Sequence, residues 1–162
     1  MQAIIFIGIQ ATGKSTFFKE RFFDTHVRIN LDMLKTRHRE KLLLDACLQA
    51  GQSFVVDNTN PTLEDRKRYI IPAKAAGFEV EGYYFTSPIS KALQRNRQRE
   101  GKQRIPEGGV RAWYHKLQMP AYQEGFDRLY YVWIDPQDQF VVEEWRDEGK
   151  YIGPMNQFKE HG

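Results

Sequence analysis

The apolar run Ala3-Ile4-Ile5-Phe6-Ile7 stops at Gly8, and Gly13-Lys14-Ser15 then opens a helix-like segment, Thr16 to Phe23. The pattern is G-x-x-x-x-G-K-[ST] with a strand before it and a helix after it, the context that a phosphate-binding loop requires. Gly8 and Gly13 let the backbone wrap with its N–H groups turned inward. The helix starting near Lys14 adds the positive end of its dipole. In such a loop Lys14 reaches the β- and γ-phosphates, and the Ser15 hydroxyl holds Mg²⁺. The loop therefore implies a nucleoside triphosphate with Mg²⁺; the expected cofactors are ATP and Mg²⁺, with the sequence leaving ATP against GTP open. Their candidate binding residues are Gly8, Ala11, Thr12, Gly13, Lys14, Ser15 and Thr16.

The rest of the chain alternates strand and helix patterns. Ala3–Ile7, Val27–Ile29, Ser53–Asp57, Phe78–Phe85 and Leu129–Ile134 read as strands, the last as a final strand of a parallel sheet. Lys14–Phe23, a long segment Leu31–Ala50 stopped by Gly51, and a helix from Asn60 and Pro61 to Ala76 read as helices. In the last of these Asn60 is the expected cap, Pro61 suits the first position, and Pro72 is expected to kink it. Ile89–Glu100 and Gly109–Tyr122 follow as two more helices, with Val110, Trp113, Tyr114 and Leu117 along one face of the second. Gln139–Trp145 and Lys150–Ile152, around Asp147-Glu148-Gly149, fit a hairpin. Repeated βα units predict an α/β fold, a parallel sheet with helices on both faces and a binding site at the carboxyl ends of its strands. Those ends carry Gly8, Asn30 and Asp57.

Composition sets limits. A chain of 162 residues suits one domain, spanning 1–162, with a tail from about residue 136. The lone cysteine, Cys47, has no internal disulfide partner; a small core residue in a reducing, cytoplasmic setting is the expectation. No stretch has the length of a membrane span, and the apolar start reads as a strand rather than a signal peptide. Between Lys91 and Lys116 eight Lys or Arg face two Glu, whereas Asp135 to Gly162 holds seven acids and three bases. Either a polyanion meets one face, or the basic run is a solvated helix surface.

Three further groups carry chemistry. Asp32, in Asn30-Leu31-Asp32, is either a first-turn acid stabilising a helix dipole or a base that takes the proton of an acceptor hydroxyl. Asp57 begins Asp57-Asn58-Thr59-Asn60 at the end of an apolar strand, where phosphate-loop enzymes place an acid that helps hold Mg²⁺; these residue types also favour a simple turn. Arg95 and Arg99 share a helix face and could close over phosphates, with the Gly- and Pro-rich stretch Glu100 to Gly109 as a flexible connection. That arrangement reads as a lid over about residues 89–122. Solvation of an exposed helix is the alternative.

These residues together resemble the polynucleotide kinase family of phosphate-loop phosphotransferases. The likeness rests on Gly8 to Ser15, Asn30-Leu31-Asp32, Val55-Val56-Asp57-Asn58-Thr59-Asn60-Pro61 with Arg66 and Tyr69, Arg95-Asn96 with Arg99, and Glu124-Gly125-Phe126-Asp127. It implies a P-loop kinase-like fold with a helical lid and transfer of a phosphoryl group to 5′-hydroxyl ends of DNA or RNA. It further implies Asp32 as general base, Lys14, Arg95 and Arg99 around the transferred phosphoryl group, and Ser15 and Asp57 at the metal. Lys35, Asp57, Thr59 and Asn60 would serve the acceptor. Lys35 departs from members that carry an arginine there, and Lys lacks a bidentate grip; Arg37 is not expected on the Asp32 face of a helix. The rival readings are a kinase for a small-molecule hydroxyl and a nucleotide-dependent switch that transfers nothing.

Overall fold

The computed structural model describes residues 1–86 and 106–146. Its centre is β1 (Gln2–Ile7), which lies between β3 (Phe54–Val56) and β4 (Glu79–Phe85) in a six-stranded sheet. With β2 (Val27–Ile29), β5 (Arg128–Ile134) and β6 (Phe140–Glu144), the order is β2-β3-β1-β4-β5-β6. All neighbours pair in parallel except β5 and β6. After β1 the chain goes to one side of the sheet for β2 and β3, and later to the other for β4 and β5. The loop that follows β1 therefore sits where strand order reverses, the place at which open α/β sheets bind ligands.

A strand in the middle of a sheet covered on both faces must be apolar on both sides, which is why β1 shows no polar alternation. Its successive side chains serve different cores. Ala3, Ile5 and Ile7 pack with Leu44 and Cys47 of α3 (Arg37–Ala50) and with Tyr69, Ile70 and Ala73 of α4 (Leu63–Ala75). Ile4 and Phe6 pack with Phe17 and Phe18 of α1 (Lys14–Arg21), and with Phe22, Val55, Phe85 and Val132. This second core is largely aromatic, with Phe6 and Phe85 ring centroids 4.9 Å apart and Phe17 and Phe140 5.1 Å apart. Cys47 is buried in the first core, and burial pushes its thiol pKa up. Among the described residues no helix is long and apolar enough to cross a membrane.

Several expectations need correction. The segment Leu31–Ala50 is two helices, α2 (Leu31–Leu34) and α3, parted at Lys35, whose φ is +76°. Thr36 causes the restart: its side chain accepts from the Arg39 N–H and caps α3, and Gly51 ends that helix in the left-handed region. Thr62, not Asn60, caps α4, in a reciprocal capping box with Asp65, and α4 runs through Pro72 to Ala75. The helix placed at Gly109–Tyr122 runs from Glu107 to Lys116 and is our α5. It ends at Lys116, where Leu117 takes extended backbone, and a single 3₁₀ turn covers Tyr122–Glu124. As expected, β5 is the last strand paired in parallel, and Phe140–Glu144 adds an antiparallel strand beside it. The turn is made by Asp135, whose carboxylate accepts from the N–H groups of Gln137 and Gln139, both at 2.9 Å. Lys150–Ile152, Ile89–Glu100, Arg95 and Arg99 lie outside the described residues.

Candidate active site

The loop from Gly8 to Gly13 is shaped by its neighbours as much as by its glycines. The Gly8 N–H donates to the Thr59 carbonyl at 3.0 Å, tying the loop to the chain that leaves β3. Gly13 has φ +92°, and a Cβ there would stand 3.1 Å from the Phe140 ring and 3.2 Å from Ile134. Ala11 also adopts positive φ, at +64°. Thr12 Oγ1 donates back to the Ile9 carbonyl at 2.9 Å, closing the turn. Lys14 folds over the loop, its Nζ donating to the carbonyls of Gly8 (3.0 Å) and Ile9 (2.6 Å). Ser15 and Thr16 follow in the first turn of α1, whose first turn contains no acid to oppose a bound anion.

Ser15 points across to β3. Its Oγ donates to Asp57 Oδ2 at 2.9 Å, and that carboxylate is only 2% exposed. The same oxygen accepts from Arg28 Nε at 2.9 Å, and Arg28 Nη2 donates to Ser15 Oγ at 3.1 Å. Among the described residues no group of three or more His, Cys, Asp or Glu side chains is arranged to hold a metal. Two hard oxygens, one carboxylate and one hydroxyl, instead match Mg²⁺, which takes few protein ligands and completes its shell with water and substrate phosphates. Ser15 and Asp57 are thus the residues that would hold it, and it would neutralise charge on the transferring phosphates.

The remaining polar side chains hold the strand ends together. Asn30 Nδ2 donates to the Asp57 carbonyl at 2.6 Å, and Asn30 Oδ1 caps α2 by accepting from the Met33 N–H at 2.8 Å. Asn58 Oδ1 accepts from the Leu31 N–H at 2.9 Å, while its Nδ2 donates to Glu40 Oε2 at 3.1 Å and to the Tyr69 hydroxyl at 3.3 Å. Glu40 is buried, and its Oε1 accepts from both Tyr69 Oη (3.0 Å) and Arg37 Nη1 (2.8 Å). Burial first, and then the negative charge of Glu40, push the Tyr69 pKa up, so the phenol stays neutral within this network. Asn60 donates from Nδ2 to the Phe6 carbonyl at 2.8 Å and holds φ +45°.

A cavity of about 320 Å³ opens between these groups. Ala11, Lys14 and Ser15 wall it on the loop side, Asp57, Asn58, Thr59 and Asn60 form its middle, and Asp32 and Arg37 stand on α2 and α3. Asp32 is exposed and makes no hydrogen bond or ion pair among the described residues. Lys35 is exposed and does not line the cavity, whereas Arg37 does. A continuous helix would have turned Arg37 away from Asp32; with the restart at Thr36 both line the cavity.

Arg28 was missed by sequence reasoning. Its one local sign is a charged residue in the middle of a short apolar strand, Val27-Arg28-Ile29. Glu124-Gly125-Phe126-Asp127 proves structural. Arg66 is fully buried and grips Glu124 with Nε (2.7 Å) and Nη2 (3.2 Å), while Nη1 donates to the carbonyls of Asn60 and Gln118. Gly125 adopts φ +117°, Phe126 enters the core, and Asp127 accepts from the Val80 N–H at 2.8 Å.

A sheet of this order with the loop after its central strand defines a P-loop, kinase-like α/β nucleotide-binding domain. A model of the AAA domain matches residues 35–120, just over half of the chain and downstream of the loop itself. The chain belongs to the AAA domain family. Among characterised proteins it is similar to a bifunctional polynucleotide phosphatase/kinase of Schizosaccharomyces pombe, 29% identical over 132 residues, covering 79% of this chain and 32% of the relative. The chain spans about a third of the length of the curated relatives it matches. Among solved structures it is similar in fold to a gluconokinase from Sinorhizobium meliloti 1021, with a TM-score of 0.58, 16% identity, and 81% of each chain covered. Kti12 of Chaetomium thermophilum, solved in complex with ADP-AlF3, superposes with a TM-score of 0.59 and 17% identity, over 82% of this chain and 89% of that one.

Proposed function

We propose that this chain is an ATP- and Mg²⁺-dependent phosphotransferase that phosphorylates the 5′-hydroxyl end of DNA or RNA. The observation that carries the reading is the two-sided cavity. Donor groups, Lys14 and Ser15 with Asp57, stand on one wall, and an exposed carboxylate without a partner, Asp32, stands on the wall opposite. The likeness to a polynucleotide phosphatase/kinase supports a polynucleotide acceptor.

In this reading Lys14 exchanges its loop carbonyls for donor phosphate oxygens, a stronger charge-assisted contact. The N–H groups of the loop and of the α1 start cradle the remaining phosphate charge. Asp32 accepts the proton of the 5′-hydroxyl as that oxygen attacks the γ-phosphorus in line and the bond to the β-γ bridging oxygen breaks. Arg37, rather than Lys35, offers the guanidinium beside Asp32 for an acceptor phosphate. Arg95 and Arg99 retain the lid role that the family likeness gives them.

The test is phosphoryl transfer from γ-labelled ATP with Mg²⁺ to short DNA and RNA strands, each with a 5′-hydroxyl or a 5′-phosphate, beside Lys14→Ala. Label on 5′-hydroxyl ends alone supports the reading. No label on either polymer, with ATP bound, overturns it in favour of a small-molecule acceptor or a switch.

A further inference from the structure

We infer that Arg28 competes with the metal ion for the two oxygens of Ser15 and Asp57, and so sets how much Mg²⁺ the site requires. The inference rests on the Mg²⁺-nucleotide reading of the site and adds a residue that the loop motif does not contain. Ser15 Oγ donates to Asp57 Oδ2 at 2.9 Å, Arg28 Nε donates to the same Oδ2 at 2.9 Å, and Arg28 Nη2 donates to Ser15 Oγ at 3.1 Å. Three side chains thus close a triangle on the two oxygens that suit a hard cation.

Ser15 Oγ donates its proton to Asp57 and accepts from Arg28, so a divalent ion there has one remaining lone pair, beside the guanidinium. On Asp57 Oδ2 it meets an oxygen already accepting two hydrogen bonds. A guanidinium and a dication in one such space also repel, and the half-buried setting screens that repulsion less than bulk water does. Relief of that repulsion calls for one partner to shift. Asp57 is held in place, because it is 2% exposed and directly follows a strand buried on every residue. Arg28 can shift, because its side chain is 30% exposed and β2 is an edge strand of the sheet. Its long stem allows the head to swing into water while the strand keeps its pairing. Arg28 is therefore a positioning residue: it acts on the metal ligands and touches no reacting atom.

The test uses the whole chain with Arg28→Gln and Arg28→Lys, and two readouts that need no phosphoryl transfer. The first is thermal unfolding with MgCl₂ alone. The second is the Mg²⁺ dependence of binding to a fluorescent ATP analogue. Without added metal, Arg28→Gln unfolds at a lower temperature, because the buried Asp57 carboxylate keeps only the Ser15 hydroxyl. Mg²⁺ then restores stability at a concentration about tenfold below that needed for an equal gain in the wild type. The midpoint for analogue binding falls by a similar factor. Arg28→Lys lies between, since an ammonium supplies the charge without spanning both oxygens.

A midpoint in Arg28→Gln equal to or above the wild-type value overturns the inference and makes Arg28 a clamp that helps the metal bind. Failure of the wild type and both variants to respond to Mg²⁺, with the analogue bound, overturns the metal site and the inference together. A lowered midpoint in Arg28→Gln, combined with no transfer to any oligonucleotide by the wild type, supports the inference and overturns the phosphotransfer reading.

Discussion

Arg66→Met removes the most deeply buried cation among the described residues and is expected to be severely destabilising. The Arg66 side chain is 0% exposed, and Glu124, which it grips through two hydrogen bonds, is 6% exposed. Methionine restores much of the packing volume but leaves the Glu124 carboxylate with the Ala121 N–H and no counter-charge. It also strips Nη1 from the Asn60 and Gln118 carbonyls. Breaking one side of a buried ion pair costs about 3–5 kcal/mol. For a chain of this size each kcal/mol lowers Tm by roughly 2–4 °C, so a fall of about 6–20 °C follows. Urea unfolding gives the free energy directly, and a double-mutant cycle with Glu124→Gln separates the stranded charge from lost packing. Arg66→Met/Glu124→Gln should be more stable than Arg66→Met alone, because the uncompensated charge is gone. A single variant within about 1 kcal/mol of wild type, or a double variant that shows the plain sum of both losses, refutes the argument.

Other outcomes follow from the same geometry. Gly13→Ala places a Cβ against Phe140 and Ile134 at positive φ, so affinity for an ATP analogue should fall at least about tenfold, equivalent to ~1.4 kcal/mol; unchanged affinity in a titration would mean that the loop relaxes freely. Asp32→Ala should slow oligonucleotide phosphorylation by roughly 10²–10⁴-fold while analogue affinity holds, whereas Lys14→Ala should lose both; an active Asp32→Ala protein would rule out that residue as base. The Asp127 pKa is lowered, first because its carboxylate accepts from the Val80 N–H, next against the opposing effect of burial, and then because Lys74 donates to it. Its folded value is depressed, so its stabilising contribution is complete above the ordinary pKa of 3.8 and is lost as pH falls through the lower folded value. Urea unfolding from neutral to acid pH should show wild type and Asp127→Asn converging below that point; a gap that persists or widens would contradict the sign.

What the sequence made legible was local. The β1 run, the loop, Val27–Ile29 and the Gly51 stop are each written in adjacent residues, and each is found where the periodicity puts it. The restart of helix at Thr36 was hidden, because nothing between Leu31 and Ala50 is a strong breaker. A threonine that can cap simply outcompeted continuation. The α4 cap moved from Asn60 to Thr62 for a related reason: Asn60 is claimed by the Phe6 carbonyl, and Thr62 has Asp65 at the spacing of a capping box. The roles of Arg28 and Arg66 were out of reach, since their partners lie 29 and 58 residues away and only the sheet brings them together. Glu124 shows the converse limit: a family-specific stretch can mark a buried clasp rather than chemistry.

The tetrapeptide Asp57-Asn58-Thr59-Asn60 explains why the two walls of the cavity keep one register. Each of its residues binds a different element. Asp57 takes Ser15 on α1 and Arg28 on β2; Asn58 takes the Leu31 N–H at the start of α2, Glu40 on α3 and Tyr69 on α4. The Thr59 carbonyl accepts from Gly8 in the loop, and Asn60 binds the β1 end through Phe6 while its carbonyl accepts from Arg66. Donor-side and acceptor-side groups are therefore fastened to one short segment rather than to each other through the core. An in-line displacement depends on that mutual placement, because a misplacement of about 1 Å can cost on the order of 10²-fold in rate. A segment with ordinary turn propensity thus fixes the geometry that phosphoryl transfer between the walls would need, with one carboxylate, Asp57, on the donor side and neutral amides and carbonyls at the other three positions.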